Sequence, residues 1–161
     1  GSTAAAFTGD DSAAYTVEFE PSATILEKEG GGYVVASLGE ASGYVPYTSY
    51  SAKVSYMEEN PEIIQKFTNA LQKGMDYVQS HTPEEIAEVI APQFKETDIE
   101  TITTIVKRYY DQDTWKENLI FEKDSFELLQ DILEDAGELS QRVNYEALVQ
   151  TSSAEKASKD K

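Results

Sequence analysis

The chain contains no cysteine, one histidine, one tryptophan and two methionines among its 161 residues. Without cysteine, no disulfide staples the fold and no thiolate serves as nucleophile or metal ligand. One histidine cannot build a histidine-rich metal site. His81, in "SHTPEEI", reads as a solvent-facing residue just before a helix start. Basic residues are scarce as well: 13 Lys and Arg stand against 30 Asp and Glu, a formal net charge of −17. Such a field repels a phosphate backbone and an anionic bilayer, which argues against nucleic acid and peripheral membrane attachment. No stretch approaches the roughly 18 apolar residues of a membrane span, and no secretory leader is recognisable at the start.

Catalytic motifs are missing too. "EGGGYVV" leads into a predicted strand, whereas a phosphate-cradling loop leads from a strand into a helix. There is no G-x-S-x-G elbow and no serine with a positioned histidine base. Carboxylates are so numerous that any pairing is cheap by chance. The acidic pair worth following is Glu18 and Glu20 in "EFEP", which alternation places on one side of a strand. The reading is of a protein without catalytic residues, metal or cofactor.

What is present is a globular composition, 40% hydrophobic and 11% aromatic, in a chain of single-domain length. Its character changes near residue 58. Seven of the nine glycines and six of the ten tyrosines precede that point; the remainder of the chain is charged and helically periodic. Gly1 and Ser2 read as the scar of a removed tag, and "TAAAFTGDD" after them reads as mid-domain sequence, as in a piece cut from a longer protein.

Residues 3–56 read as α/β. The "AAAFTGDD" stretch suggests a helix end and a turn, and Ala13–Phe19 and Tyr33–Leu38 suggest strands from their β-branched and aromatic content. Pro21 can open a helix that "GGG" stops. Then "GYVPYTSYSAKVSY" alternates Tyr, Thr and Ser where a core strand would carry Val, Ile and Leu. It reads as an extended segment with something polar to touch.

Residues 57–150 read as helices. Asn60-Pro61, Thr82-Pro-Glu-Glu85, Thr97-Asp-Ile-Glu100 and Asp124-Ser-Phe-Glu127 each supply an N-terminal signature. Apolar stripes follow at helical spacing: Ile63, Ile64, Phe67, Leu71, Met75 and Val78 in the first helix, and Ile99, Ile102, Ile105, Val106 and Tyr109 in the third. They read as core faces. Gly137 is placed to end the fourth helix in a left-handed conformation. Residues 151–161 have no apolar face and read as disordered.

Three stretches, "AAFTGDDSAAYTVEFEPSATILEKEGGGYVVASLGEASGYVPYTSYSAK", "NPEIIQKFTNALQKGMDYVQSHTPEEIAEVIAPQF" and "FELLQDILEDAGELSQRVNYEALV", carry a resemblance. In this order they resemble the C-terminal half of solute-binding proteins of ABC importers, in the nitrate, sulfonate, taurine and thiamine-pyrimidine branch. The resemblance implies an α/β fold: the C-terminal part of a two-lobe periplasmic-binding-protein-like architecture, a small sheet followed by a helix-rich region. It implies that "GYVPYTSYSAK" is a hinge-crossing segment beside a ligand cleft. It also implies a role outside the cytoplasm, in the periplasm or as a cell-surface lipoprotein, with a small-molecule solute and a membrane permease as partners.

The expected ligand contacts are Phe19 and Glu20 from the strand end, Tyr47 and Thr48 from the crossing segment, and Trp115 from a loop between helices. Two of these carry alternatives: Glu20 can start the following helix, and Trp115 can be a packing plug. The enzymatic branch of the wider family, which makes the thiamine pyrimidine phosphate, sacrifices its own histidine near a cysteine-rich motif that this chain lacks. Truncation of such a fold would leave open faces and a possible homodimer. The alternatives in function are an acidic α/β interaction module, or a fragment that binds no ligand by itself.

Overall fold

Helix starts follow the local chemistry. The computed structural model describes residues 3–159; the expected scar, Gly1 and Ser2, and the last two tail residues lie outside them. Thr82 caps helix α6 (Pro83–Ile90): its hydroxyl accepts from the Glu85 amide at 3.3 Å and the Glu85 carboxylate accepts from the Thr82 amide at 2.9 Å, a reciprocal capping box. In α7 (Ile99–Asp111) the capping side chain is Asp98 rather than Thr97, because the carboxylate reaches the Thr101 amide at 2.9 Å. Gly137, at φ 74°, follows α8 (Lys123–Asp135) in the left-handed region that a side chain disfavours.

Among the described residues there are ten α-helices and one 3-10 turn. The others are α1 (Thr3–Thr8), α2 (Ser22–Lys28), α3 (Leu38–Ala41), α4 (Val54–Glu59), α5 (Pro61–Ser80), α9 (Tyr145–Leu148), α10 (Ser152–Lys159) and the turn Ala91–Gln93. No strand occurs among them, which corrects the expected α/β fold with a small sheet. The strand-like segments 13–19, 32–37 and 45–53 carry no regular secondary structure. The physical reason is that β-propensity measures fit to a pleated, half-buried surface with a partner ladder. No neighbouring segment offers these residues either one. Their large side chains stay in solvent: Tyr15 is 83% exposed and Tyr33 87%.

The chain divides into two compact units that alternate along the sequence. One is the described part of Gly1–Leu38 together with His81–Thr114; the other is Gly39–Ser80 with the described part of Trp115–Lys161. In the first unit α6 packs on α7, burying Ile86, Ala87, Ile102 and Val106. Helix α2 lies on α7, with Thr24 and Thr101 buried. Lys28 crosses that contact to donate to the Thr101 hydroxyl at 2.8 Å.

In the second unit α10 packs along α5 through Ala154 and Ala157, both buried. Compositional reading treats residues 151–161 as disordered, since no large apolar residue marks a face. The helix instead docks by two alanines three residues apart, which let its backbone come close. The aliphatic stripe of α5 is only partly covered: Ile64, Leu71, Met75 and Val78 are half-buried and Ile63 and Phe67 are more exposed, whereas Gln72 is 2% exposed. Gln72 Nε2 donates to the Glu117 carbonyl at 2.9 Å and Gln65 Nε2 to the Ser153 carbonyl at 3.0 Å. These amides tie the central helix to the loop after Trp115 and to α10. Phe126 fills the space between Phe121 and Tyr145, edge-to-face with both.

Candidate functional site

The Phe19–Glu20 position is built from the first unit. Segment 13–19 ends where α2 begins, and the Phe19 carbonyl accepts from the Ala23 amide at 3.1 Å. Phe19 leaves 67% of its surface in solvent, while the Glu20 side chain keeps only 11%. The expected alternation of Glu18 and Glu20 on one face therefore separates two different environments. Glu18 accepts from the Thr16 hydroxyl at 3.1 Å. Glu20 turns to the start of α2, where Oε2 accepts from the Thr24 amide at 3.0 Å and Oε1 from the Thr24 hydroxyl at 2.9 Å. It thus takes the helix-starting role that the sequence leaves open.

Arg108, in the last turn of α7, completes this arrangement, and sequence reasoning missed it. Its Nη1 donates to Glu20 Oε1 at 3.1 Å and to the Thr24 hydroxyl at 2.7 Å, and Nη2 donates to Glu27 Oε2. Glu27 Oε1 in turn accepts from the Val34 amide at 3.1 Å. The Val34 amide is the chief cause, and Arg108 the next, that holds the Glu27 carboxyl below its ordinary value. Partial burial pulls the Arg108 guanidinium down, but its bonds to Glu20 and Glu27 outweigh that and raise it. The only sequence signal was an arginine in a final helical turn, which normally reads as dipole compensation.

Tyr47 and Thr48 belong to the second unit and are exposed, Tyr47 at 81%. In the same segment Tyr50 meets Phe67 of α5 edge-to-face, with ring centroids 5.2 Å apart. Tyr50 is nevertheless 75% exposed, so that contact covers only part of its ring. Trp115 lies in the loop between α7 and α8, half-buried, with its carbonyl accepting from Gln79 Nε2 at 2.9 Å. The second unit also has a groove of about 320 Å³ lined by Met57, Ile64, Gln65, Ser153 and Lys156 among others. None of the expected contact residues lines it. Among the described residues no helix is long and apolar enough to cross a membrane.

In comparison with known proteins, the chain is 39% identical over 147 residues, 91% of its length, to a Bacillus subtilis (strain 168) protein named "Putative binding protein YtlA". It spans 44% of the length of that relative. No protein-family model matches the chain. No solved structure matches it significantly.

Proposed function

We propose that the chain is part of a solute-binding protein, without catalysis of its own, that captures a small nitrogen- or sulfur-containing organic molecule. In this reading the whole protein works outside the cytoplasm, closes about the molecule by hinge motion, and delivers it to the permease of an ABC importer. The observation that carries the reading is the 39% identity over 147 residues to a protein named as a binding protein. The motif order "FEP", "GYVVASLGE", "GYVPYT" and "AGEL" supports it, and extends it to the importer branch by resemblance.

The proposed ligand contacts are Phe19, Glu20, Tyr47, Thr48 and Trp115. Phe19 and Tyr47 are aromatic and largely exposed, which suits them to contact with a planar ring. Glu20 and Glu27 share the one positive charge of Arg108, so the cluster keeps a net negative charge that suits a cationic or hydrogen-bond-donating ligand. An aminopyrimidine, whose amino group donates hydrogen bonds, suits these residues better than a sulfonate or nitrate, which the net charge of −17 also repels.

A thermal-shift panel on the whole protein that contains this chain tests the proposal. The compounds are an aminopyrimidine precursor of thiamine, taurine, an alkanesulfonate, nitrate and riboflavin. A compound present at about 100 times its dissociation constant adds roughly 2.7 kcal/mol to the stability of the bound form. The expected result is an upward shift with the aminopyrimidine and none with nitrate. A panel flat for all five contradicts the proposal.

A further inference from the structure

Each terminal nitrogen of Arg108 meets a different glutamate, and each glutamate uses its other oxygen to hold a backbone amide. Nη1 reaches Glu20, whose Oε2 holds the Thr24 amide at 3.0 Å. Nη2 reaches Glu27, whose Oε1 holds the Val34 amide at 3.1 Å. The first amide sits in the opening turn of α2, shortly after Phe19 and Glu20. The second sits in segment 32–37, beyond the turn that ends α2. Neither segment has a strand partner among the described residues, so these side-chain bonds tie them to the helical part of the unit.

We infer that Arg108 is a positioning residue that fixes two irregular segments of the first unit, the Phe19–Glu20 corner and the start of 32–37, to α7 as a single wall. This rests on the proposed function only in calling that wall ligand-facing; the wall itself is defined by the bonds above. The guanidinium suits the task because its fork presents two rigidly spaced donors to two carboxylates. A lysine in its place offers one point charge on a flexible stem and cannot span both. Arg108 is partly buried, with 27% of its side chain exposed, so water competes less for its donors than at a surface pair.

The relay makes a pattern that a merely stabilising residue would not. Amide hydrogen exchange of the full chain, followed residue by residue by NMR, reads it. In Glu20→Gln the Thr24 amide exchanges faster while Val34 keeps its protection, and in Glu27→Gln the reverse holds. In Arg108→Gln both amides accelerate, by about tenfold each, the scale of a lost charge-assisted hydrogen bond. The amides of α6, which Arg108 does not touch, stay as they are. Should Arg108→Gln fail to fold, Arg108→Lys decides: one of the two amides stays protected and the other is released. Protection of both amides in Arg108→Lys, or of either in a folded Arg108→Gln, overturns the inference. A flat ligand panel leaves this exchange pattern untouched, so the failure of the functional proposal and the failure of the relay are separate results.

Discussion

At the scale of single residues, Asp98 does the most with the least burial. Its carboxylate accepts from the Thr101 hydroxyl at 2.6 Å and from the Thr101 amide at 2.9 Å, with Lys28 Nζ 3.4 Å away. The Thr101 hydroxyl first, then its amide, and last Lys28 hold the Asp98 carboxyl down from 3.8 to about 2. Because the folded value lies below the unfolded one, the unfolded chain takes up the proton first as pH falls. The contribution of Asp98 is therefore complete above about pH 4 and is lost as pH drops towards 2. Thermal midpoints of the chain and of Asp98→Asn, measured from pH 6 to pH 2, are expected to differ most at pH 6 and to converge at pH 2. Curves separated by a constant offset down to pH 2 would show that the cap is not the titrating group. The sequence places a cap within one residue of Asp98, since an Asx or Thr before an apolar stripe is a local signal. It could not reveal Lys28, whose partner lies 70 residues away, nor the relay through Arg108, which joins residues separated by more than 80 positions.

At the scale of elements, legibility depended on whether the signal is local. Helices α5 to α8 carry their own period, and each forms within a few residues of where its cues put it. Thr82 and Asp98 cap α6 and α7, whereas α8 starts after Glu122 without a side-chain cap and takes the expected cap residue Asp124 into its first turn. Strands need partners, and three segments rich in Tyr, Val and Thr have none here, so composition alone misplaced them. Helix α10 erred in the opposite direction. With no Leu, Ile or Phe it showed no stripe, yet Ala154 and Ala157 dock it on α5. Small residues at a helix contact are read by the hole they leave, which a hydropathy pattern does not register. Ala157 is only 5% exposed, so a larger side chain there must displace its neighbours. Ala157→Leu is expected to cost about 1–3 kcal/mol by overpacking, and chemical denaturation monitored by circular dichroism would measure it. Wild-type stability in that variant would mean α10 is not seated on α5.

At the scale of the whole molecule, the candidate contacts were legible as residue types but not as surroundings. Phe19 and Tyr47 leave 67% and 81% of their surface in solvent. Glu20 reads in the sequence as a polar contact, and its oxygens prove to be engaged with Thr24 and Arg108. The chain spans 44% of the length of its Bacillus subtilis relative.

The measurement that bears most directly on the solute-binding proposal is isothermal titration of the aminopyrimidine into the whole protein that contains this chain and into its Phe19→Ala variant. The account predicts a saturable one-site isotherm for the wild type, weakened at least tenfold when the Phe19 ring is removed, a loss of about 1.4 kcal/mol. No heat of binding with the wild type, or an isotherm indifferent to Phe19, would contradict it.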